Sequence, residues 1–138
     1  MNKKRAIGYS GILAVLLAAF LLIGSSCSLA APGIQNAVVA TSIDPDGKPA
    51  DSVTELTANT PVYASVELHN ALEDTKVTFK WYSGDAKLGE VTLASTMGDQ
   101  YMDSRMEGLT NAGGYKVEVY VDERETPDAT LEFTVKKE

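Results

Sequence analysis

The chain has 138 residues, a net charge of −7 and a single cysteine. Three of the 12 basic residues stand at the head, and all 19 acidic residues lie after position 43, so the chain beyond Arg5 carries nine basic and 19 acidic side chains, a net of −10. That balance excludes phosphate-backbone binding, which needs clustered Lys and Arg, and no nucleic-acid partner is expected.

The N-terminus reads first as an address. Lys3, Lys4 and Arg5 form a positive head, Ile12 to Ile23 is a run of twelve apolar residues, and Gly24-Ser25-Ser26-Cys27 follows. Positive head, apolar middle and small residues before a cut are the layout of a secretory signal peptide. Small residues leading into a cysteine resemble the lipobox of bacterial lipoproteins, whose signal is cut before a cysteine that carries lipid. The resemblance implies a signal peptide over 1–26 and lipid attachment at Cys27. It departs from the family at Gly24, where a large aliphatic residue is usual; Ile23 sits one place earlier.

Two other readings stay open on the same residues. Ser28-Leu29-Ala30 suits an ordinary signal-peptidase cut before Ala31. Alternatively nothing is cut: Ala6 to Gly24 is nineteen residues without a charge, close to the roughly 20 that span a bilayer, and the basic head would then stay in the cytoplasm. All three readings place residues 31–138 outside the cytoplasmic membrane. Residues 27–33 are a short linker, and 34–138 are enough for one domain. With no cysteine after Cys27, that domain must build its core without disulfides.

Period-two alternation then marks strands. Pro61 to His69 sets Val62, Ala64, Val66 and Leu68 inward, and Tyr63, Ser65, Glu67 and His69 outward. Lys76 to Ser83 turns Val77, Phe79 and Trp81 inward. Gly114 to Asp122 does so with Tyr115, Val117, Val119 and Val121, and Thr130 to Lys136 with Leu131, Phe133 and Val135. Weaker strands are expected at Ile34–Ile43, Lys87–Ser95 and Gln100–Glu107, with an edge piece near Val53–Leu56. Asp44-Pro45-Asp46-Gly47 suits a tight turn. Ser83-Gly84-Asp85, Gly98-Asp99 and Asn111-Ala112-Gly113-Gly114 break the later strands. About seven short strands and no helical period after residue 27 predict an all-β, antiparallel two-sheet sandwich behind an N-terminal signal or anchor helix.

Trp81 on a central strand and Tyr115 at the start of a later one resemble the strand-C tryptophan and corner tyrosine of immunoglobulin-like domains. Lys80-Trp81-Tyr82 and Gly114-Tyr115-Lys116-Val117-Glu118-Val119-Tyr120 are similar to the immunoglobulin-like domains of prokaryotic lipoproteins. The resemblance implies that Val117 and either Val66 or Ala64 replace the disulfide by aliphatic packing. It implies a fold and is nearly silent on function.

Candidate sites are few. His69, the one histidine, is expected on an outward strand end, and no nucleophile–base motif accompanies it; no catalytic residue and no cofactor are expected. Asp44, Asp46, Asp51 and Glu55 resemble a fragment of a calcium loop, but Pro45, Lys48 and Pro49 spoil the intermediate ligands, and an acidic turn is the expectation. The outward residues Thr78, Lys80, Tyr82, Lys116, Glu118 and Tyr120 would share one face if their strands are neighbours, making Tyr82 and Tyr120 the candidate partner face. The sequence thus leads to a lipid-anchored, non-enzymatic module on the extracytoplasmic face of the cell membrane. Its expected partners are the membrane, through the anchor, and an envelope protein or glycan. An inhibitor of an envelope or extracellular protease and an uncleaved single-span subunit of a complex are the alternatives.

Overall fold

A computed structural model describes residues 30–138. The expected signal or anchor helix and the lipid attachment at Cys27 lie outside the described residues. Within them the chain forms eight strands: β1 (Gly33–Ala40), β2 (Glu55–Thr57), β3 (Val62–His69), β4 (Lys76–Ser83), β5 (Ala86–Ala94), β6 (Gln100–Met106), β7 (Gly113–Val121) and β8 (Ala129–Lys136). They make a three-stranded sheet, β1-β3-β6, and a five-stranded sheet, β2-β8-β7-β4-β5.

The alternating residues of the two sheets meet in one core. Val62, Ala64, Val66 and Leu68 of β3 face Val77, Phe79 and Trp81 of β4, with Tyr115, Val117, Val119 and Val121 of β7 and Phe133 and Val135 of β8. Trp81 is 2% exposed. Its indole Nε1 donates to Ser104 Oγ at 3.0 Å, so its polar edge is satisfied inside the core. Phe133 stacks on Tyr115 at 5.4 Å between ring centroids and meets Trp81 edge-on at 6.3 Å. The Tyr115 hydroxyl donates to the Asn111 carbonyl at 2.7 Å, pinning the corner that leads into β7. Both aromatics are thus packing residues, as their alternation implies.

Four details depart from the sequence expectation. The edge piece expected near Val53–Leu56 forms β2 at Glu55–Thr57, and it runs parallel to β8 in a sandwich expected to be antiparallel throughout; the other pairings are antiparallel. The first strand ends at Ala40, leaving Ile43 in an isolated bridge with Pro49 across the Asp44–Lys48 turn. β1 also carries a bulge between Gln35 and Val38, with Asn36 at φ +48°, so the core-facing set is Ile34, Ala37 and Val39 and does not hold one parity. Finally, Ser65 is buried on the expected outward face. The loop after β1 approaches the same outer side of the small sheet at β6: a Cβ on Gly47 would stand 3.3 Å from Tyr101 Cβ.

Candidate functional site

The outer face of the five-stranded sheet gathers the predicted partner residues. β4 and β7 are hydrogen-bonded neighbours, with Thr78 opposite Tyr120, Lys80 opposite Glu118, and Tyr82 opposite Lys116. β5 extends the rows on one side, placing Thr92, Glu90 and Lys87 beside Thr78, Lys80 and Tyr82. β8 extends them on the other, with Glu132 beside Lys116 and Thr130 beside Glu118. Alternation brings the β4, β7 and β8 side chains together, because every second residue of a strand points to the same face, and a register shift in β5 adds Lys87 to the face that Glu90 and Thr92 already share.

Charge and aromatic groups interlock across the rows. Lys80 Nζ lies 4.5 Å from the Tyr120 ring centre and Lys116 Nζ lies 4.9 Å from that of Tyr82. Each cation also meets a carboxylate, Lys80 with Glu90 at 3.9 Å and Lys116 with Glu118 at 3.8 Å. The Tyr120 hydroxyl donates to Glu118 Oε1 at 3.1 Å. Loss of solvent raises the Tyr82 phenol above its ordinary value, and the Glu118 charge pushes it the same way. Tyr120 rises for the same first cause, followed by its bond to Glu118. Both tyrosines therefore stay neutral hydrogen-bonding groups at physiological pH. Glu90 is held below the usual carboxylate range by its bond to Lys87 at 2.6 Å.

The same sheet carries a groove of about 610 Å³, bordered by Glu55, Asp85, Lys116 and Glu132, with Gly84 and Gly114 among its lining. Nothing lies within 4 Å of where a Cβ would stand on either glycine, so the missing side chains leave the trough open. Sequence reasoning did not identify this groove, nor the contribution of Lys87 and Glu90. β7 begins at Gly113, one residue before the start expected at Gly114. Strict alternation would put Lys87 and Glu90 on opposite faces of β5; a register shift opposite Trp81 and Tyr82 brings them to one face, and no local pattern announces it.

The remaining candidates lie elsewhere. His69 is at the end of β3, with Nδ1 3.2 Å from Asp99 Oδ2 and Nε2 buried without a partner. It is not freely solvated, and no hydroxyl bonds it among the described residues. In the acidic turn, Asp46 accepts from the Lys48 amide at 3.1 Å. Asp51 accepts from the Thr41 amide at 2.7 Å and from the Thr41 hydroxyl. Those bonds hold the Asp51 carboxyl below its ordinary value. Glu55 pairs with Lys136 at 2.8 Å. Three of the four calcium-loop candidates, Asp46, Asp51 and Glu55, thus have other partners, and no group of three or more metal-ligating side chains gathers among the described residues.

No family model and no curated protein matches the sequence. Among solved structures, the chain is similar to the alkylpurine DNA glycosylase AlkC of Pseudomonas fluorescens, bound to DNA containing an abasic site analogue. The likeness has 15% identity and a TM-score of 0.47, and covers 76% of this chain and 30% of that one. It is also similar to the CARDB domain of a Pyrococcus furiosus protein in complex with di-metal ions, at 13% identity and a TM-score of 0.47, over 78% of this chain and 94% of that one. The chain thus spans under a third of the glycosylase, and likenesses this distant bear neither on ligand nor on chemistry.

Proposed function

We propose that this chain is a membrane-tethered, non-enzymatic binding or structural module of the cell envelope, built on an immunoglobulin-like sandwich. The tethering rests on the order of the sequence: positive head, apolar run, Ser26-Cys27, and a folded domain that starts at Gly33 after a short linker. The immunoglobulin-like assignment is supported by Trp81 on a central strand and by the corner bond from Tyr115 to the Asn111 carbonyl, four residues upstream.

The observation that carries the binding role is the outer face of the five-stranded sheet. Tyr82 and Tyr120 stand half-buried there beneath lysine ammonium groups, on a rigid sheet that also holds an open polar groove. Tyrosines in a polar surround give large contact area with little side-chain entropy to lose, which suits protein or glycan recognition. Lysines and carboxylates in alternation favour a partner of mixed charge over a polyanion.

The test uses the full chain in its own envelope. Crosslinked neighbours are compared for the parent, the Tyr82→Ser/Tyr120→Ser double variant, and a Tyr63→Ser control on the other sheet. Loss of neighbours in the double variant alone supports the face as a binding surface. An identical set in all three removes it. The intact mass of the same material reads the anchor: acyl chains on Cys27 support the lipoprotein reading, and an unmodified start at Ala31 ends it.

A further inference from the structure

The two most exposed large apolar side chains named among the described residues are Leu72, 63% exposed, and Met97, 70% exposed. They stand on different loops, β3–β4 and β5–β6, that are stitched into one platform. The Asp74 amide donates to the Ser95 carbonyl at 2.9 Å, the Ser95 amide to the Thr75 carbonyl at 2.9 Å, and the Gly98 amide to the Ala71 carbonyl at 2.9 Å. Ser95 Oγ donates to the Leu72 carbonyl at 3.1 Å. Leu72 is further fixed by Thr75, whose hydroxyl takes the Leu72 amide at 3.0 Å and donates to its carbonyl at 2.9 Å. The backbone at Leu72 is therefore fully bonded, and its side chain is held outward.

This platform lies at the end of the sandwich where the chain enters. Gly33, the first residue of β1, pairs with His69, the last of β3. The Pro32 carbonyl accepts from Arg124 Nη2 at 2.6 Å, in the β7–β8 loop at the same end. From Cys27 to Gly33 the chain can reach at most roughly 20 Å. We propose that Leu72 and Met97 seat this end of the domain on the bilayer surface, so that the tethered sandwich stands upright. The proposal rests on the membrane-tethered reading above.

The occupant follows from where the tether ends and from the charges around the platform. Asp99 takes the Asn70 amide and Asp122 the Lys76 amide beside the platform, Glu73 and Asp74 lie in its β3–β4 loop, and Glu123, Glu125 and Asp128 share the β7–β8 loop with Arg124, which Asp128 already pairs, so a neutral, zwitterionic headgroup surface is favoured and an anionic one opposed. One acyl chain alone binds a bilayer only marginally, and two partly inserted side chains supply less. The platform therefore orients a domain that the anchor already holds. The β6–β7 loop would point away from the membrane, and the Tyr82–Tyr120 face would stand perpendicular to it, open to a neighbour.

Tryptophan quenching by brominated lipid reads this directly. Full-length chain recovered from host membrane is reconstituted in phosphatidylcholine vesicles with and without dibrominated acyl chains. The parent, whose one tryptophan is the buried Trp81, sets the baseline. Met97→Trp and, separately, Leu72→Trp place the probe on the platform; Thr110→Trp places it on the exposed β6–β7 loop at the opposite end. The expected result is loss of the added emission for positions 97 and 72 and none for position 110, with less loss as anionic lipid replaces phosphatidylcholine. The intact mass of each sample reads the anchor independently. Anchored protein with no loss at either platform position overturns the proposal and leaves the tether reading standing. Equal loss at all three positions also overturns it, because the domain then lies on its side. Unanchored chain starting at Ala31 overturns the tether reading and the proposal together.

Discussion

Single side chains decide where this sandwich turns and how its loops close. Asp51 holds the loop after β1 by accepting twice from Thr41. Asp51→Ala should cost about 1–2 kcal/mol at pH 7 for those partly exposed, charge-assisted bonds, measured by urea unfolding. Because the bonds lower the folded-state pKa from 3.8, the stability is present above that value and is lost as pH falls through the lower folded one. The gap between parent and variant should therefore close in acid; a gap that persists there would show that Asp51 acts through packing. Tyr115 makes a separable contribution. Tyr115→Phe keeps the stack on Phe133 and deletes only the bond to Asn111, so it should cost about 1 kcal/mol. A near-zero change in the urea midpoint would mean that water replaces the bond without loss.

At the scale of elements, pairing and register matter more than propensity. β1 is an edge strand whose bulge switches parity midway, allowing Ile34 at one end and Val39 at the other to reach the same core. The bulge requires Asn36 in the left-handed region, which costs a residue with a branched Cβ roughly 1–2 kcal/mol. Asn36→Val should destabilise the domain by about that amount, and Asn36→Gly should fall well short of it. Equal losses in denaturant titrations would mean that the Asn36 side-chain bond to Glu67 matters, and not the backbone angle. The bulge also explains why this strand read weakly in the sequence: an inserted residue breaks the two-residue period by which strands are recognised. β3, β4 and β7, which hold their parity throughout, were legible with their inward sets, down to Val62, Phe79, Trp81 and Val117. The outward set of β3 was not. Whether Ser65 meets water depends on what covers the sheet from outside, and no local pattern carries that.

For the whole molecule, the two sheets share one core, in which Trp81 of the large sheet bonds Ser104 of the small one. Unfolding of the sandwich should therefore be a single cooperative step, with coincident transitions by far-ultraviolet circular dichroism and by Trp81 fluorescence. A separate, earlier fluorescence transition would mean that the sheets part before the strands unpair. The candidate face belongs to this scale too. Tyr82 and Tyr120 were legible as outward residues of their own strands, but their sharing of a face required β4 and β7 to be neighbours. Lys87 and Glu90 joined because β5 pairs on the far side of β4. The groove over Gly114 depended on the meeting of β7, β8, β2 and the β4–β5 turn.

The sequence by itself determined what is local and periodic: the charge balance, the strands with unbroken alternation, the turns at Asp44–Gly47 and Ser83–Asp85, and the inward Trp81 and Tyr115. These follow because the pleat repeats every two residues and because proline and glycine restrict or release single dihedrals. Only the tertiary structure decided the strand order, the parallel pairing of β2 with β8, the partners of His69 and Asp51, and the gathering of Leu72 and Met97 at the end where the chain enters. Those depend on contacts between residues far apart in the chain, and two segments that look alike in sequence can meet different neighbours once the sheets close.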